Sequence, residues 1–405
     1  MAQPEIRLKG FKGDWTPNTI GAIANVIGGG TPSTIVDNYW NGDIQWFTPS
    51  EIGKSRYVSR SERTISKEGL EKSSAQMLPA YSILLSSRAT IGECSINTCK
   101  CCTNQGFQSL VPKRVELDFL YSLISTIKKD MIRESSGSTF LEISANKVRN
   151  LNVCIPESDE QKALGDYFKY LDSMIHGVAK YITSLRQMKE ASLISMFPQK
   201  GETKPCVRFK GFDGEWEIEK LSSIAKRITR KNTQLESTLP LTISASEGLI
   251  EQTAFFNNVV ASSNVSGYYL LKRGEFAYNK SYSNGYPYGA VKRLDRYDMG
   301  VLSTLYIVFS VDESVCSDYI VHFFDTSLWH KEVAMRAAEG ARNHGLLNIG
   351  AEDFLDINII LPKSKYEQQR IASFFTSLNK QISLQEERLK KLRQIKAACL
   401  DKMFV

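Results

Sequence analysis

Arg7-Leu8-Lys9-Gly10-Phe11-Lys12-Gly13-Asp14-Trp15 returns later in the chain as Arg208-Phe209-Lys210-Gly211-Phe212-Asp213-Gly214-Glu215-Trp216. A second echo closes each half. Glu160-Gln161 with Tyr167, Phe168, Leu171 and Ile175 reappears as Glu367-Gln368 with Phe374, Phe375, Leu378 and Ile382. A unit of roughly 200 residues therefore occurs twice in tandem, and such repeats decide a fold before any local propensity does. The ends of the two copies match better than their middles. The pattern is a shared frame around two unlike centres.

The frame shows in the hydrophobic spacing. Leu164, Phe168, Leu171, Ile175, Val178, Ile182 and Leu185 step by four and three, and Met188, Leu193 and Met196 continue with a slight phase shift. Ile371, Phe375, Leu378, Ile382, Leu389, Leu392 and Ile395 repeat that stripe, with Gln385 as its polar member. Both are heptad seams. Ser158 or Asp159 is a plausible cap for the first helix, and Pro198 follows its last turn. A helix with one apolar seam is unstable alone in water, so the two are expected to pack on each other. The segment between them is long enough to bring the chain back, which makes the pairing antiparallel. The competing arrangement is two separate coiled coils, each pairing with another chain.

The segments before each seam are mixed. In the first, the loop Gly28-Gly29-Gly30-Thr31-Pro32-Ser33 and strand-like runs at Ile44–Thr48 and Tyr81–Ser86 lead to a helix expected over Asp118–Arg133. The second carries an expected helix over Asp318–Ala338 and closes at Leu355–Pro362, as the first closes at Leu151–Pro156. The expected fold class is α+β: two globular α/β domains separated by an antiparallel pair of long coiled-coil helices, with a pseudo-twofold internal repeat. The expected boundaries are 1–157, 158–200, 201–363 and 364–405.

Composition narrows the function classes. At 42% hydrophobic and 23% charged residues the chain is globular, and its net charge of +7 fits an anionic partner. No run of about eighteen apolar residues exists, so no membrane partner is expected. Met1–Lys9 lacks a signal-peptide core, which points to a cytoplasmic protein whose eight cysteines are reduced. Cys94, Cys99, Cys101 and Cys102 cluster without a zinc-ligand spacing or a neighbouring histidine. They read as small buried hydrophobes, and no metal site is expected.

Catalytic signatures are missing. There is no Asn/Asp-Pro-Pro-Tyr/Phe motif, and Asn284-Gly285-Tyr286-Pro287-Tyr288 has the wrong order. Gly53-Lys54-Ser55 resembles the end of a phosphate loop, but Thr48 stands where its first glycine is needed. His176, His322 and His330 fall on expected helices, leaving His344 in a polar loop. Glu160-Gln161 reads as helix N-terminal chemistry. No catalytic residue is assigned.

Two unlike centres on one repeated frame suit a bipartite nucleic-acid target, each centre reading one half while the frame sets the separation, as dimers do elsewhere. In the first domain, Ser87, Arg88 and Thr90 lie in one polar loop and Asn104 and Gln105 in another. Arginine presents a fork to guanine, and asparagine or glutamine pairs with adenine. In the second, Lys280, Tyr282, Asn284 and Tyr286 mix donors with aromatics, and Arg342, Asn343 and His344 form a further loop. Lys226, Arg227, Arg230 and Lys231 are suited to phosphate contacts. Ordinary turn chemistry explains the same residue types.

Taken together, the chain resembles the specificity subunit of type I restriction-modification systems. The carriers are the repeated Gly-Phe-x-Gly-x-Trp opening, Gly29-Gly30-Thr31-Pro32-Ser33, Ser87-Arg88-Ala89-Thr90-Ile91-Gly92, Thr103-Asn104-Gln105-Gly106-Phe107, and the helices starting at Glu160-Gln161 and Glu367-Gln368. The resemblance implies two target recognition domains that read the halves of an asymmetric bipartite site in double-stranded DNA, with no catalysis by this chain. It implies two modification subunits as partners, docked on the helices and carrying S-adenosylmethionine. Restriction subunits would bring ATP and Mg2+ chemistry, and no cofactor would bind this chain. The second domain lacks the Arg-Ala-Thr-Ile-Gly and Asn-Gln-Gly-Phe segments, so the two halves should differ. The alternatives are a coiled-coil adaptor that binds proteins and a fused methyltransferase, which the missing motifs disfavour.

Overall fold

A computed structural model describes residues 2–137, 141–244, 247–253, 264–281, 285–337 and 347–405. It comprises two compact units: residues 1–182 with 385–405, and residues 183–384. Each long helix is thus shared between units. The sequence pattern divides the chain at helix starts, whereas the packed cores divide it within the helices.

Both units open with the same device. Gly10 and Gly13 adopt φ of 101° and 89°, and Gly211 and Gly214 adopt 91° and 75°. Only glycine takes this conformation at little cost, which is why both copies keep Gly-Phe-x-Gly. The turn carries its second glycine carbonyl back to an arginine: Arg7 Nη1 donates to Gly13 O, and Arg208 Nη1 to Gly214 O, each at 2.6 Å. The following tryptophans, Trp15 and Trp216, are buried. The opening strand then pairs with the closing one, Thr16–Thr19 against Asn152–Ile155 and Glu217–Lys220 against Asn358–Leu361.

The middles differ. In the first unit a five-stranded sheet runs in the order Ala24–Gly28, Gln108–Pro112, Ile83–Leu85, Cys94–Asn97 and Tyr57–Val58. A three-stranded sheet sets Trp40–Phe47 between Arg63–Ile65 and Cys101–Thr103. In the second unit a four-stranded sheet runs Ala225–Arg227, Ile307–Val311, Phe276–Asn279 and Ala290–Arg293, with two further antiparallel pairs, Leu241–Ser244 with Gly248–Glu251 and Tyr269–Lys272 with Met299–Leu302. Cys94, Cys101 and Cys102 are buried strand residues, as expected for small hydrophobes, whereas Cys99 is half-buried outside the strands with its thiol donating to Ser59 O. Burial pushes the Cys94 thiol up to about 12.

Two expected helices are broken. Asp118–Arg133 is two helices, Leu117–Thr126 and Lys128–Glu134, and Asp318–Ala338 is replaced by Ser317–Phe323 and His330–Arg336. A threonine sits at each break. Thr126 Oγ1 donates to Leu123 O at 2.8 Å and Thr326 Oγ1 to Phe323 O at 2.7 Å, so a hydroxyl competes for the backbone carbonyl.

The long helices span Ser158–Ser195 and Lys365–Met403, 38 and 39 residues. In the first unit Phe168 packs on Phe404, while Val178 and Ile182 cluster with Leu389 and Leu392. Numbers rise along one helix as they fall along the other, so the pair is antiparallel. The second unit repeats this, with Phe197 beside Phe375 and Met188 facing the groove that holds Leu378 and Gln381.

The seam is not one uniform helix–helix contact. Leu164, Phe168 and Leu171 join the core of the first domain, and Ile371 and Phe375 that of the second. The far helix ends do the same: Met403 and Phe404 enter the first core, and Met196 and Phe197 the second. Each core is therefore completed by the head of one long helix and the tail of the other. Val178, Ile182 and Leu392, with Ile175 and Leu389 partly buried, form the true interhelical cluster. Leu185 and Leu378 are buried and Ile382 is half-buried.

Ile395 departs from the expected stripe, at 47% exposed. After Leu389 and Leu392 the four-three alternation calls for residue 396, so Ile395 falls beside the seam, while Lys396 reaches Asp172 of the other helix. Leu392→Ala should then cost about 2–3 kcal/mol by cavity formation. Ile395→Ala should stay within about 0.5 kcal/mol. Equal effects in chemical denaturation would refute this assignment of faces.

Candidate nucleic-acid interface

In the first unit the structure gathers the loops that sequence had singled out. Gly30 N donates to Thr103 O at 2.9 Å, and Thr31 Oγ1 donates to Gln105 Oε1. A Cβ on Gly29 would lie 1.9 Å from Asn104 O, so the close approach of the two loops requires glycine there. Ser87 N donates to Gly106 O at 2.8 Å, which adds the loop at residues 86–92. Loops 28–33, 86–92 and 103–107 thus form one assembly braced on the end of strand Trp40–Phe47, where Asn104 N donates to Phe47 O.

Within it the individual residues fare differently. Ser87 is fully buried, and its carbonyl accepts from Ile143 N. It braces the loop and cannot present a donor to a base, which corrects the sequence expectation. Arg88 is committed to Glu142 by a 2.8 Å ion pair, and the two residues also form a backbone bridge. The pair engages Nη2 of a guanidinium that is 43% exposed. Asn104 spends its side-chain oxygen on Gly106 N at 2.9 Å. Thr90 and Gln105 are exposed.

In the second unit Lys280 is turned inward, its Nζ donating to Ile349 O at 3.2 Å. Tyr286 lines a cavity of about 390 Å³ with Arg186, Lys189, Lys292, Trp329 and His330. Burial lowers the His330 pKa. Tyr282, Asn284, Arg342, Asn343 and His344 lie outside the described residues. Of the expected phosphate contacts, Arg230 is partly exposed and its Nη2 pairs with Glu275 at 2.7 Å. Lys226, Arg227 and Lys231 are exposed, Lys226 3.4 Å from Asp312 and Lys231 over the Tyr269 ring.

The positioning groups were missed by sequence. Glu160 is not merely helix-start chemistry: it accepts from Arg7 Nε and Nη2 at 2.8 and 2.7 Å. Glu367 does the same with Arg208, at 2.7 Å twice. The neighbouring glutamines are equally matched. Gln161 accepts from Glu116 N and donates to Pro156 O, and Gln368 accepts from Cys316 N and donates to Pro362 O. One Glu-Gln pair therefore ties together the opening, the closing strand and a domain helix, twice. The signal was available, since the arginine and the Glu-Gln pair both lie in the repeated segments.

A second tier fastens each domain to the helices by charge. Arg56 bridges Asp118 and Asp172 at 2.7 and 2.6 Å, Lys169 reaches Asp118, and Lys396 reaches Asp172. In the other unit Asp325 sits between Lys189 and Lys292, 3.2 and 3.3 Å away. Burial works against charge on Asp325, yet the adjacent His322 and the two lysines hold its carboxyl well below the usual range.

A family model described as type I restriction modification DNA specificity domain matches residues 12–184 and 257–394, well over half of the chain. The chain belongs to that family. The specificity subunit of the type I restriction enzyme MjaIX of Methanocaldococcus jannaschii is 36% identical over 172 residues, 41% of this chain and 40% of that protein. The EcoR124I/EcoR124II specificity subunit of Escherichia coli is 26% identical over 183 residues, 43% and 45%. The aligned part spans under half the length of these relatives. The fold is shared with the type I restriction-modification S subunit from M. genitalium: TM-score 0.61 at 13% identity, over 100% of this chain and 99% of that one. Among the described residues no helix is long and apolar enough to cross a membrane.

Proposed function

We propose that this chain is the DNA-specificity subunit of a type I restriction-modification complex. Each domain reads one half of an asymmetric bipartite site, and the helix pair fixes the spacing between the halves and offers docking surface to two modification subunits. The chain itself performs no catalysis and binds no cofactor. S-adenosylmethionine belongs to the modification subunits, and ATP and Mg2+ to restriction subunits where these join.

The observation that carries this reading is the twice-built Arg-Glu-Gln clasp around two different sheets. A frame conserved to the atom fits a constant geometry, and sheets that differ in order fit two unlike targets. Lys226, Arg227 and Lys231 are proposed as phosphate contacts, with Thr90, Asn104, Gln105 and Tyr286 as contacts nearer the bases. Tyr282, Asn284, Arg342, Asn343 and His344 keep that role as a proposal from sequence. The adaptor reading has no comparable support, because it does not require the two centres to differ.

The test is a replacement of residues 206–362 by the matching segment of a family member. In the complex with its modification subunits, methylation mapped across a genome should change in one half-site and stay unaltered in the other. A change in both halves, or none, would defeat the assignment of one domain to one half.

A further inference from the structure

Strand Arg63–Ile65 is an edge of the three-stranded sheet, and Arg63 faces Trp46 in antiparallel register. The Arg63 guanidinium carbon lies 3.6 Å from the centroid of the Trp40 ring and 5.8 Å from that of Trp46. The two indoles meet edge to face at 5.1 Å and 89°, and both are buried. Each indole N–H is already used: Trp40 Nε1 donates to Ser33 O and Trp46 Nε1 to Gly30 O, at 3.0 and 2.9 Å. The rings are therefore fastened to the loop at residues 28–33, which is itself fastened to Thr103 and Gln105. Arg63 lies on a rigid platform continuous with the loop assembly.

Its fork is unspent. Arg56, Arg88, Arg230 and Arg293 each hold a carboxylate, but among the described residues none pairs with Arg63, which is exposed. Stacking on an indole fixes the plane of a guanidinium while leaving its N–H donors at the rim. Fixing that plane beforehand removes rotamer freedom that binding would otherwise have to remove. A planar fork with two parallel donors matches the O6 and N7 acceptors of guanine in the major groove.

We propose that Arg63, stacked on Trp40, is a base-reading residue of the first domain and recognises a guanine in its half-site. This rests on the DNA-specificity reading above. It adds to the loop residues an arginine with no carboxylate partner among the described residues, whereas Arg88 Nη2 is held by Glu142.

The experiment uses the full chain in complex with its modification subunits. Binding of a randomised duplex pool first gives the preferred site. Arg63→Ala and Arg63→Lys are then measured on the preferred duplex and on its single-base variants, with melting temperatures recorded for both. We expect each variant to lose roughly tenfold to a hundredfold in affinity for the preferred duplex. Preference should relax at one G·C pair of the first domain's half only. If all sequences weaken alike and the salt slope falls by about one, Arg63 is a phosphate contact and the proposal is overturned. Unchanged affinity and preference overturn it too. A wild-type complex without sequence preference would overturn the specificity reading itself, which separates the two failures. Should Arg63→Ala destabilise the domain, Arg63→Lys, which keeps the charge but loses the bidentate fork, decides the matter.

Discussion

Arg208→Ala is expected to destabilise the chain by about 3 kcal/mol, the range seen when one member of a buried ion pair is removed. The reason is what stays behind. The Glu367 side chain is only 2% exposed, and both of its oxygens accept from Arg208. Without the guanidinium the carboxylate remains buried with two acceptors unmet, and the Gly214 carbonyl loses its donor as well. Arg208→Ala/Glu367→Gln should recover a good part of the loss, because the neutral amide is cheaper to leave buried. A double-mutant cycle by chemical denaturation measures the coupling. Arg7→Ala, the counterpart in the other copy, should show the same direction through Glu160. Additive single mutants would mean that the ion pair contributes nothing beyond its two side chains.

The frame was legible in the sequence and the centres were not, for a physical reason. The frame repeats, and its helices carry a period that sequence displays directly: Leu164, Phe168, Leu171, Ile371 and Phe375 are all buried as that period requires. What period could not tell was which neighbour buries them, since a domain core and a partner helix ask for the same apolar residue. A further echo lies at the helix tails: Met196-Phe197 and Met403-Phe404 are matched in both sequence and role. In the centres, availability depends on partners far along the chain. Arg88 Nη2 is taken by Glu142, and Arg230 Nη2 by Glu275. Arg63 was invisible because its value lies in Trp40, which reaches it by the lateral pairing of two strands. Residue type announces capacity for a contact, and only tertiary pairing says whether that capacity is already spent.

Phe404→Ala is expected to be the most damaging single truncation in the first unit, at about 3–5 kcal/mol, the usual cost of emptying a buried phenylalanine site. Phe404 stacks on Phe119 at 5.4 Å, meets Trp15 edge to face at 6.0 Å and lies 5.5 Å from Phe168. Those three rings come from the domain's opening, its core helix and the head of the first long helix. One side chain from the tail of the second long helix therefore closes the junction of all three. The surrounding backbone cannot easily collapse into the gap, because Ile6 N donates to Lys402 O at 2.9 Å and Lys402 pairs with Glu5 at 3.1 Å. Phe197 occupies the matching place in the second unit, 6.1 Å from Trp216, 5.6 Å from Tyr319 and 6.0 Å from Phe375. Phe197→Ala should accordingly open the second unit while leaving protection in the first. Hydrogen exchange resolved along the chain reads both variants: lost protection confined to residues 1–182 and 385–405 for one, and to 183–384 for the other. Loss spread evenly over the whole chain in either variant would show that the two cores unfold as one, and that the helix tails do not each complete a separate core.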